Sequence, residues 1–495
     1  MNAFEGLLFG FSIALQAENL LACFIGVLIG TIVGVLPGIG PIGAMALLLP
    51  VTYAMTPAGA LIMLAGIYYG SMYGGSTTSI LLKVPGEVSS VITTIDGYEM
   101  ARKGRAGAAL FVAAVGSFAA GSVGILGLVF LAPVLAASAL RFGPPEFFAL
   151  CILGLLVLSR LTGSSLSRAA VMVALGLSLS TVGMEPMSGV SRFTFGYLDL
   201  AQGLELVPIA IGLFGVAELL SSAHNKLTNE KPLKVSFKEL LPTRAEWKRS
   251  QWPIARGSVL GFLFGLIPGP TAIIATFSSY ALERKLSKHP EEFGHGAIEG
   301  VAGPESANNG AAQGAFIPLL ALGIPFAPAS AMLLTALLIH GAKTGPMLMT
   351  ESPEIFWGVT SSMYIGNLML LLLNLPLISV FVALLRLPMY LISSLVVLLC
   401  VVGTYAISNS ILDLWVLLIS GVVGYVLRQL KFEPVILLMA LALGPILERS
   451  FIQSLYLTQG DLVEILTRPI AGTMIFISIL VIFIPILKRI YKSLF

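Results

Sequence analysis

The sequence predicts an all-α polytopic membrane protein, and three observations predict it. Of 495 residues, 57% are hydrophobic and only 11% charged. A soluble globular chain carries about 25% charged residues, so a water-facing surface of this size could not be built. Several stretches reach the roughly 20 apolar residues that cross a bilayer as a helix. The third observation is an element that occurs twice. Gly26-x3-Gly30-x3-Gly34-x2-Pro37-Gly38 returns as Gly257-x3-Gly261-x3-Gly265-x2-Pro268-Gly269, offset by 231 residues with no gap inside. The expected architecture is about 10–12 transmembrane helices forming an inverted repeat with re-entrant or broken helices. Residues 1–221 form a first membrane repeat, 222–256 a basic cytoplasmic connector, and 257–495 a second repeat with C-terminal helices.

Lys and Arg in the short loops set the orientation. The polar insertion 222–256 holds Lys226, Lys231, Lys234, Lys238, Arg244, Lys248, Arg249 and Arg256 against Glu230, Glu239 and Glu246, which marks it as cytoplasmic. The basic groups Arg102-Lys103-x-Arg105, Arg160 to Arg168, Arg284-Lys285-x2-Lys288, Arg428 to Lys431 and Lys488-Arg489-x2-Lys492 go to the same side. Residues 185–202 and 341–357 are poor in Lys and Arg and read as external. Spans near 106–134, 146–158, 169–183 and 203–220 alternate between the two sides. The loop that follows the first repeated element's half-site (96–105) is inside and its counterpart (341–357) outside, which is the mark of an inverted repeat. Met1-Asn2-Ala3-Phe4-Glu5 lacks a positive n-region and a small-residue cleavage site, so the first apolar segment is expected to act as the insertion signal.

Between Arg256 and Glu283 both flanks are basic while the apolar stretch is broken by Pro268-Gly269-Pro270. Proline has no amide donor and clashes with the preceding turn, so one straight helix is excluded. A re-entrant hairpin fits both facts. Backbone of that kind at membrane depth is tolerated where it is buried in protein or lines a watery cavity. The plainer alternative is a proline kink with Gly-x3-Gly packing faces. Each element is followed by a polar tract: Gly74-Gly75-Ser76-Thr77-Thr78-Ser79 after the first, Pro304-Glu305-Ser306-Ala307-Asn308-Asn309-Gly310 after the second. Paired breaks and polar tracts in two halves point to a secondary-transporter binding site.

The candidate substrate residues are Gly38, Gly75, Ser76, Thr77, Thr78, Lys83, Gly269, Asn308 and Asn309. Gly38 and Gly269 would let backbone approach a substrate, and the hydroxyls and amides would form one half-site each. Helix N-termini at the breaks suit a carboxylate, while oxygen-rich groups suit a hard cation such as sodium. Ser76, Thr78, Glu305 and Asn308 are the candidate cation ligands. Lys83 either attracts an anionic substrate, pairs with Glu87 or snorkels to the interface. Glu305 either binds a cation or proton or holds backbone donors.

Other signals are weak. Cys23, Cys151 and Cys400 lie in apolar helical stretches without ligand spacing and read as packing residues. His224, His289, His295 and His340 share no ligand-like spacing, and no nucleophile–base pair is evident, so an enzyme is not expected. Gly38-x-Gly40-x2-Gly43 lacks the strand and acid of a dinucleotide fingerprint. The net charge of +3 gives no reason to expect nucleic acid; the lipid bilayer is the expected environment. No metal other than sodium and no organic cofactor is expected.

Three segments together carry a family resemblance: Gly34-Val35-Leu36-Pro37-Gly38-Ile39-Gly40-Pro41, Tyr68-Tyr69-Gly70-Ser71-Met72-Tyr73-Gly74-Gly75-Ser76-Thr77-Thr78-Ser79 and Pro304-Glu305-Ser306-Ala307-Asn308-Asn309. With Asp96-Gly97-Tyr98-x-Met100-Ala101-Arg102, Arg192-Phe193-Thr194-Phe195-Gly196 and Arg468-Pro469-Ile470, the chain resembles the large membrane subunit of the tripartite tricarboxylate transporters, the TctA family, over nearly its whole length. The resemblance implies a bacterial inner-membrane carrier that imports carboxylates with a small membrane subunit and a periplasmic solute-binding protein. It also implies symport driven by a Na+ or H+ gradient, in keeping with the absence of a phosphate-binding loop. The alternative within transport is a standalone carboxylate/cation symporter, and self-association is left open. Lys83 stands where the family usually has Asn, Phe326 where it has Gly, and Pro270 where a more flexible residue is usual; these leave open which carboxylate and which ion are used.

Overall fold

In the computed structural model the chain is a bundle of helices with one two-residue β-hairpin, Gly183–Met184 paired with Ser191–Arg192. The structure describes residues 2–36, 40–83, 85–139, 142–161, 165–185, 188–217, 220–221, 241–377, 380, 394, 397–398, 400–402, 404–405 and 409–494. Residues 222–240 of the connector 222–256, and Gly38 with its neighbours 37 and 39, lie outside these. In chain order the first half comprises α1 (Ala3–Ala14), α2 (Ala17–Val35), α3 (Gly40–Thr52), α4 (Pro57–Leu82), α5 (Thr93–Arg102), α6 (Ala106–Ala139), α7 (Pro144–Leu161), α8 (Leu166–Ser180) and α9 (Leu206–Ala210). The second comprises α10 (Arg244–Gly265), α11 (Thr271–Leu286), α12 (Glu299–Gly314), α13 (Phe316–Leu322), α14 (Pro328–Ile339), α15 (Pro346–Glu351), α16 (Pro353–Asn374), α17 (Ile411–Gln429), α18 (Pro434–Leu457), α19 (Leu462–Thr467) and α20 (Pro469–Leu494).

Among the described residues five helices are long and apolar enough to cross a membrane, and seven more helices contribute apolar stretches of 10–17 described residues. Both repeated elements form helical hairpins, α2 packed on α3 and α10 on α11, with the second turning around 266–270. The second hairpin is clamped at its open end, where Arg256 Nε donates to Glu283 Oε1 at 2.9 Å and Glu283 is buried. Both ends of this hairpin therefore lie together, as the re-entrant reading requires.

The glycines of each hairpin face a central helix. A Cβ on Gly30 would sit 2.6 Å from the Ile67 carbonyl oxygen, and one on Gly265 2.5 Å from that of Ala311. The central helices answer with their own glycines: a Cβ on Gly70 would lie 3.0 Å from Val27 O, and one on Gly310 2.8 Å from Ser258 O. Helices that approach this closely have no room for side chains at the contact, so the Gly-x3-Gly packing reading and the hairpin reading are both correct. Along these contacts the hairpins are offset by 231 residues and the central helices by 240, since Gly26 and Gly257 meet Met63 and Gly303.

That register corrects one expectation. The tracts 74–79 and 304–310 are helical, and they are not equivalent positions: an offset of 240 pairs Ser76 with Phe316 and Asn308 with Tyr68. The breaks come later. Lys83 (φ 58°, ψ 21°) ends α4 and Gly323 (φ 72°, ψ 20°) ends α13, both left-handed, and Pro85 and Pro325 follow at the same interval. Left-handed backbone costs a non-glycine residue about 1–2 kcal/mol, which Lys83 bears and Gly323 does not.

The halves exchange contacts reciprocally. α3 packs on α14, the segment after the second break, while α11 packs on Val88–Ile92, the segment after the first; α6 packs on α12 and α16 on α4. This gives a two-fold arrangement with α4 and α12 at its centre. All of 58–81 and all of α12 are buried.

The second half also starts earlier than the reading of 222–256 as a connector placed it. Residues 244–256 belong to α10, begun by a capping box between Thr243 and Glu246. Two of their charges have partners beyond the segment: Glu246 accepts from Arg105 Nε at 3.0 Å, and Arg249 Nε donates to Glu299 at 2.8 Å. Arg249 also holds Glu292 below the usual carboxylate range. Three motif residues serve as ties. Asp96 Oδ1 accepts the backbone amides of Gly294, Gly296 and Ala297 at 2.7–2.9 Å, and Oδ2 accepts Tyr280 OH at 2.8 Å. Arg192 pairs with Glu448, and Arg468 Nε donates to the buried Glu146 at 2.8 Å.

Two outcomes follow. Gly30→Ala should destabilise the protein by about 1–3 kcal/mol through overpacking, whereas Gly154→Ala, whose Cβ would meet nothing within 4 Å, should not; thermal unfolding in detergent would compare them. Arg256→Ala should cost about 3 kcal/mol, the lower end of the range for stranding a buried charge, because Arg256 itself is one-third exposed; Arg256→Ala/Glu283→Ala should recover part of that loss, and no recovery would remove the clamp.

Candidate functional site

A cavity of about 710 Å³ opens where the two hairpins meet the two broken helices. Its wall repeats itself. Residues 40–42 and 271–273, offset by 231, line it from the hairpins; 87–89 and 327–329, offset by 240, line it from the segments beyond the breaks. Gly269 and Pro270 complete the second tip, and the Gly269 amide donates to Phe326 O at 2.9 Å. At Gly269 φ is +134°, a conformation open to glycine, which lets the chain turn at the cavity edge. Tyr68 and Met72 of α4, Phe214, Arg428 and 431–434 close the remaining side.

The polar character of the cavity comes from helix ends as much as from side chains. α3, α11, α14 and α18 all begin at it, with Gly40, Thr271, Pro328 and Pro434 in the wall. Helix N-termini carry unpaired amide donors and a partial positive charge. Arg428 and Lys431 add full positive charges, against Glu87 and Glu433. Such a set can hold an anion with several acceptor oxygens, and the apolar remainder of the wall suits its carbon frame.

Glu87 sits at the centre of a hydrogen-bonded group. Asn308 Nδ2 donates to Glu87 Oε1 at 2.7 Å, Ser89 Oγ lies 2.7 Å from Asn308 Oδ1, and the same hydroxyl reaches the Glu87 carboxylate. Gly75 makes room for it, since a Cβ there would lie 2.7 Å from Glu87 Cγ. One turn before Asn308, Glu305 is 1% exposed and accepts from Ser76 Oγ and Thr93 Oγ1. These bonds cross the two-fold arrangement, tying α12 of one half to α4 and α5 of the other.

Of the sequence-derived substrate residues, Gly269 lines the large cavity, and Gly38 lies outside the described residues. Asn308 is one hydrogen bond behind the wall, and Gly75 lies beneath Glu87. Ser76 and Thr77 face a smaller space elsewhere. Thr78 donates to Val35 O at 2.6 Å, satisfying a carbonyl in the last turn of α2, and Asn309 Nδ2 donates to Ser117 Oγ at 2.7 Å. Lys83 is exposed, with its ammonium 5.4 Å from the centre of the Tyr98 ring, within cation–π range. Of the four candidate cation ligands, Ser76 and Glu305 bond each other, while Thr78 and Asn308 have the separate partners just given.

Sequence reasoning missed Ser89, Arg428 and Lys431 and gave Glu87 no role beyond pairing with Lys83. Arg428 and Lys431 stand in a short basic connector, which loop-charge counting assigns to the cytoplasmic face without asking what lies beside it. Glu87 carried a signal: it directly follows Pro85-Gly86, where a helix must stop.

The sequence model of the tripartite tricarboxylate transporter TctA family matches residues 20–439. An Agrobacterium vitis protein described as an uncharacterized 52.8 kDa protein in the TAR-I ttuC' 3' region is 46% identical over 490 residues, covering 99% of this chain and 97% of its own length. A second A. vitis protein, described as an uncharacterized protein in the TAR-II ttuC' 3' region, is 44% identical over 230 residues, covering 46% of this chain and 95% of its own length. No solved structure matches.

Proposed function

The chain belongs to the tripartite tricarboxylate transporter TctA family, and on that premise we propose that it is the large permease subunit of a secondary transporter importing tricarboxylates or related carboxylates. It would sit in a bacterial inner membrane beside a small membrane subunit and receive substrate from a periplasmic solute-binding protein, with a Na+ or H+ gradient as the driving force. The observation that carries this reading is the two-fold cavity, where four helix N-termini converge with Arg428 and Lys431. A carboxylate needs such donors once it leaves water.

Glu87 and the Asn308–Ser89 pair give the reading its polarity. Amide and hydroxyl hydrogen bonds hold the Glu87 carboxylate against the wall, where it would discriminate against fully ionised substrates lacking a proton or hydroxyl to offer. The breaks at 83–87 and 323–327 are the natural hinges, because each carries a left-handed residue followed by proline and no continuous helix spans it. Rocking of one hairpin and its partner break against the other pair would expose the cavity to alternate sides. Loop charges, basic at the open end of the second hairpin and absent at that of the first, support an inverted orientation of the two halves.

Reconstituting the complex in liposomes tests the reading. Uptake of a labelled carboxylate should require the binding protein and an imposed cation gradient; uptake by this subunit alone would favour the standalone symporter. Lys431→Gln and Asn308→Ala should each lower uptake at least tenfold, about 1.4 kcal/mol, with membrane insertion unchanged, and Thr77→Ala should also impair it. Normal uptake by both Lys431→Gln and Asn308→Ala would remove the large cavity as the substrate site.

A further inference from the structure

A second space, of about 10 Å³, lies where α4, α6 and α16 meet. That is about the least volume that one water-sized occupant needs. Five polar residues line it, Tyr73, Ser76, Thr77, Ser117 and Asn374, and all five are buried.

Two of the five spend their hydroxyl protons outside the space, and a third residue leaves an acceptor in it unpaired. Tyr73 gives its hydroxyl proton to Asn367 Oδ1 at 2.6 Å, and Ser76 gives its own to Glu305. Ser117 accepts from Asn309 Nδ2 at 2.7 Å. Asn374, 94% buried, donates Nδ2 to Leu370 O at 2.9 Å and leaves Oδ1 buried without a hydrogen-bond partner. Flipping that amide would set two oxygens face to face at Leu370, so the orphaned atom is an oxygen. A buried acceptor left so costs about 1–3 kcal/mol. A water molecule has two protons to give, whereas a hard cation takes a lone pair from every oxygen around it. Charge points the same way: Glu305, reached through Ser76, forms no ion pair among the described residues, so a carboxylate stands one bond from a space that holds an unpaired acceptor, beside Leu110, Ala113 and Ala114.

We propose that this space binds one dehydrated monovalent cation of sodium's size, held by Asn374 Oδ1 and the hydroxyl oxygens of Tyr73, Ser76, Thr77 and Ser117. Its transport role rests on the reading of the chain as a cation-driven permease; its existence does not. This space lies apart from the large cavity, and two hydrogen bonds and a stretch of backbone join them. Ser76 and Thr93 both donate to Glu305, and Thr93 directly follows Val88–Ile92, which supplies Val88, Ser89 and Val91 to the cavity wall. Filling the ion site would fix Ser76 and Glu305, and through Thr93 the segment beyond the first break.

Thermal unfolding of the full chain in detergent tests the site without transport. NaCl should raise Tm saturably relative to choline chloride at equal ionic strength, with KCl weaker. Asn374→Leu and Ser117→Ala should each weaken the apparent sodium affinity at least tenfold while keeping Tm in choline within a few degrees. Equal Tm in all three salts would mean a water-filled space and overturn the proposal, as would an unchanged sodium response in both variants. Should Asn374→Leu fail to fold, Ser117→Ala, which removes one oxygen, decides alone. Carboxylate uptake indifferent to sodium would sink this assignment and leave the permease reading standing; sodium-specific stabilisation without uptake by the complex would do the reverse.

Discussion

Backbone-to-backbone contact between each hairpin's first arm and a central helix is the constraint on which the rest of the structure depends. Lipid tails are as apolar as the side chains they would replace, so association between membrane helices comes from close packing and hydrogen bonds more than from hydrophobic transfer. Glycines every four residues on α2 and α10 let carbonyl oxygens of α4 and α12 come within the space a Cβ would take. Glycines at 70 and 74, and at 310 and 314, return the same fit from the other side. Because both faces are glycine, neither helix can slide by a residue without a clash. The register of each pair, and hence the position of the Pro268-Gly269 tip in the second, is fixed.

That contact has a cost in the helix that bears it. α12 carries Glu305, Ser306, Asn308, Asn309 and Gln313 and is buried on every side, where a polar group without a partner is expensive. Three of its polar side chains find partners in the other half: Glu305 in Ser76 and Thr93, Asn308 in Glu87, Asn309 in Ser117. Polar cross-links therefore join the halves, while apolar glycine contacts build each half. The link from the buried carboxylate to the cavity wall runs through these joints.

The two-fold arrangement is close in backbone and broken in chemistry. Ser76 and Asn308 occupy positions whose symmetry counterparts are Phe316 and Tyr68, two rings 5.8 Å apart. Glu87 and Ser89 face the cavity from one half, and Ala327 and Ala329 from the other. Lys83 and Gly323 share a backbone conformation with opposite consequences, since one projects a charge toward Tyr98 and the other projects nothing. A symmetric frame thus holds a polar side and an apolar side around one cavity. Lys83 and Phe326 stand at the two breaks.

The sequence by itself determined the membrane class, the repeated helix breaks and the identity of the polar tracts, because these rest on composition and local backbone chemistry. Too few charges exclude a wetted surface, Pro-Gly excludes a straight helix, and glycine spacing marks a packing face. It could not decide whether Ser76 and Asn308 were equivalent, since equivalence depends on which carbonyl each glycine meets. It also placed Arg428 and Lys431 in a connector by charge alone, and gave no sign that α18 begins at the same cavity as the tip of the second hairpin. Only the tertiary structure decided those matters, for a cavity is made by segments distant in sequence. Hydrogen bonds such as Ser76 to Glu305 join residues 229 positions apart, a separation that no local pattern encodes.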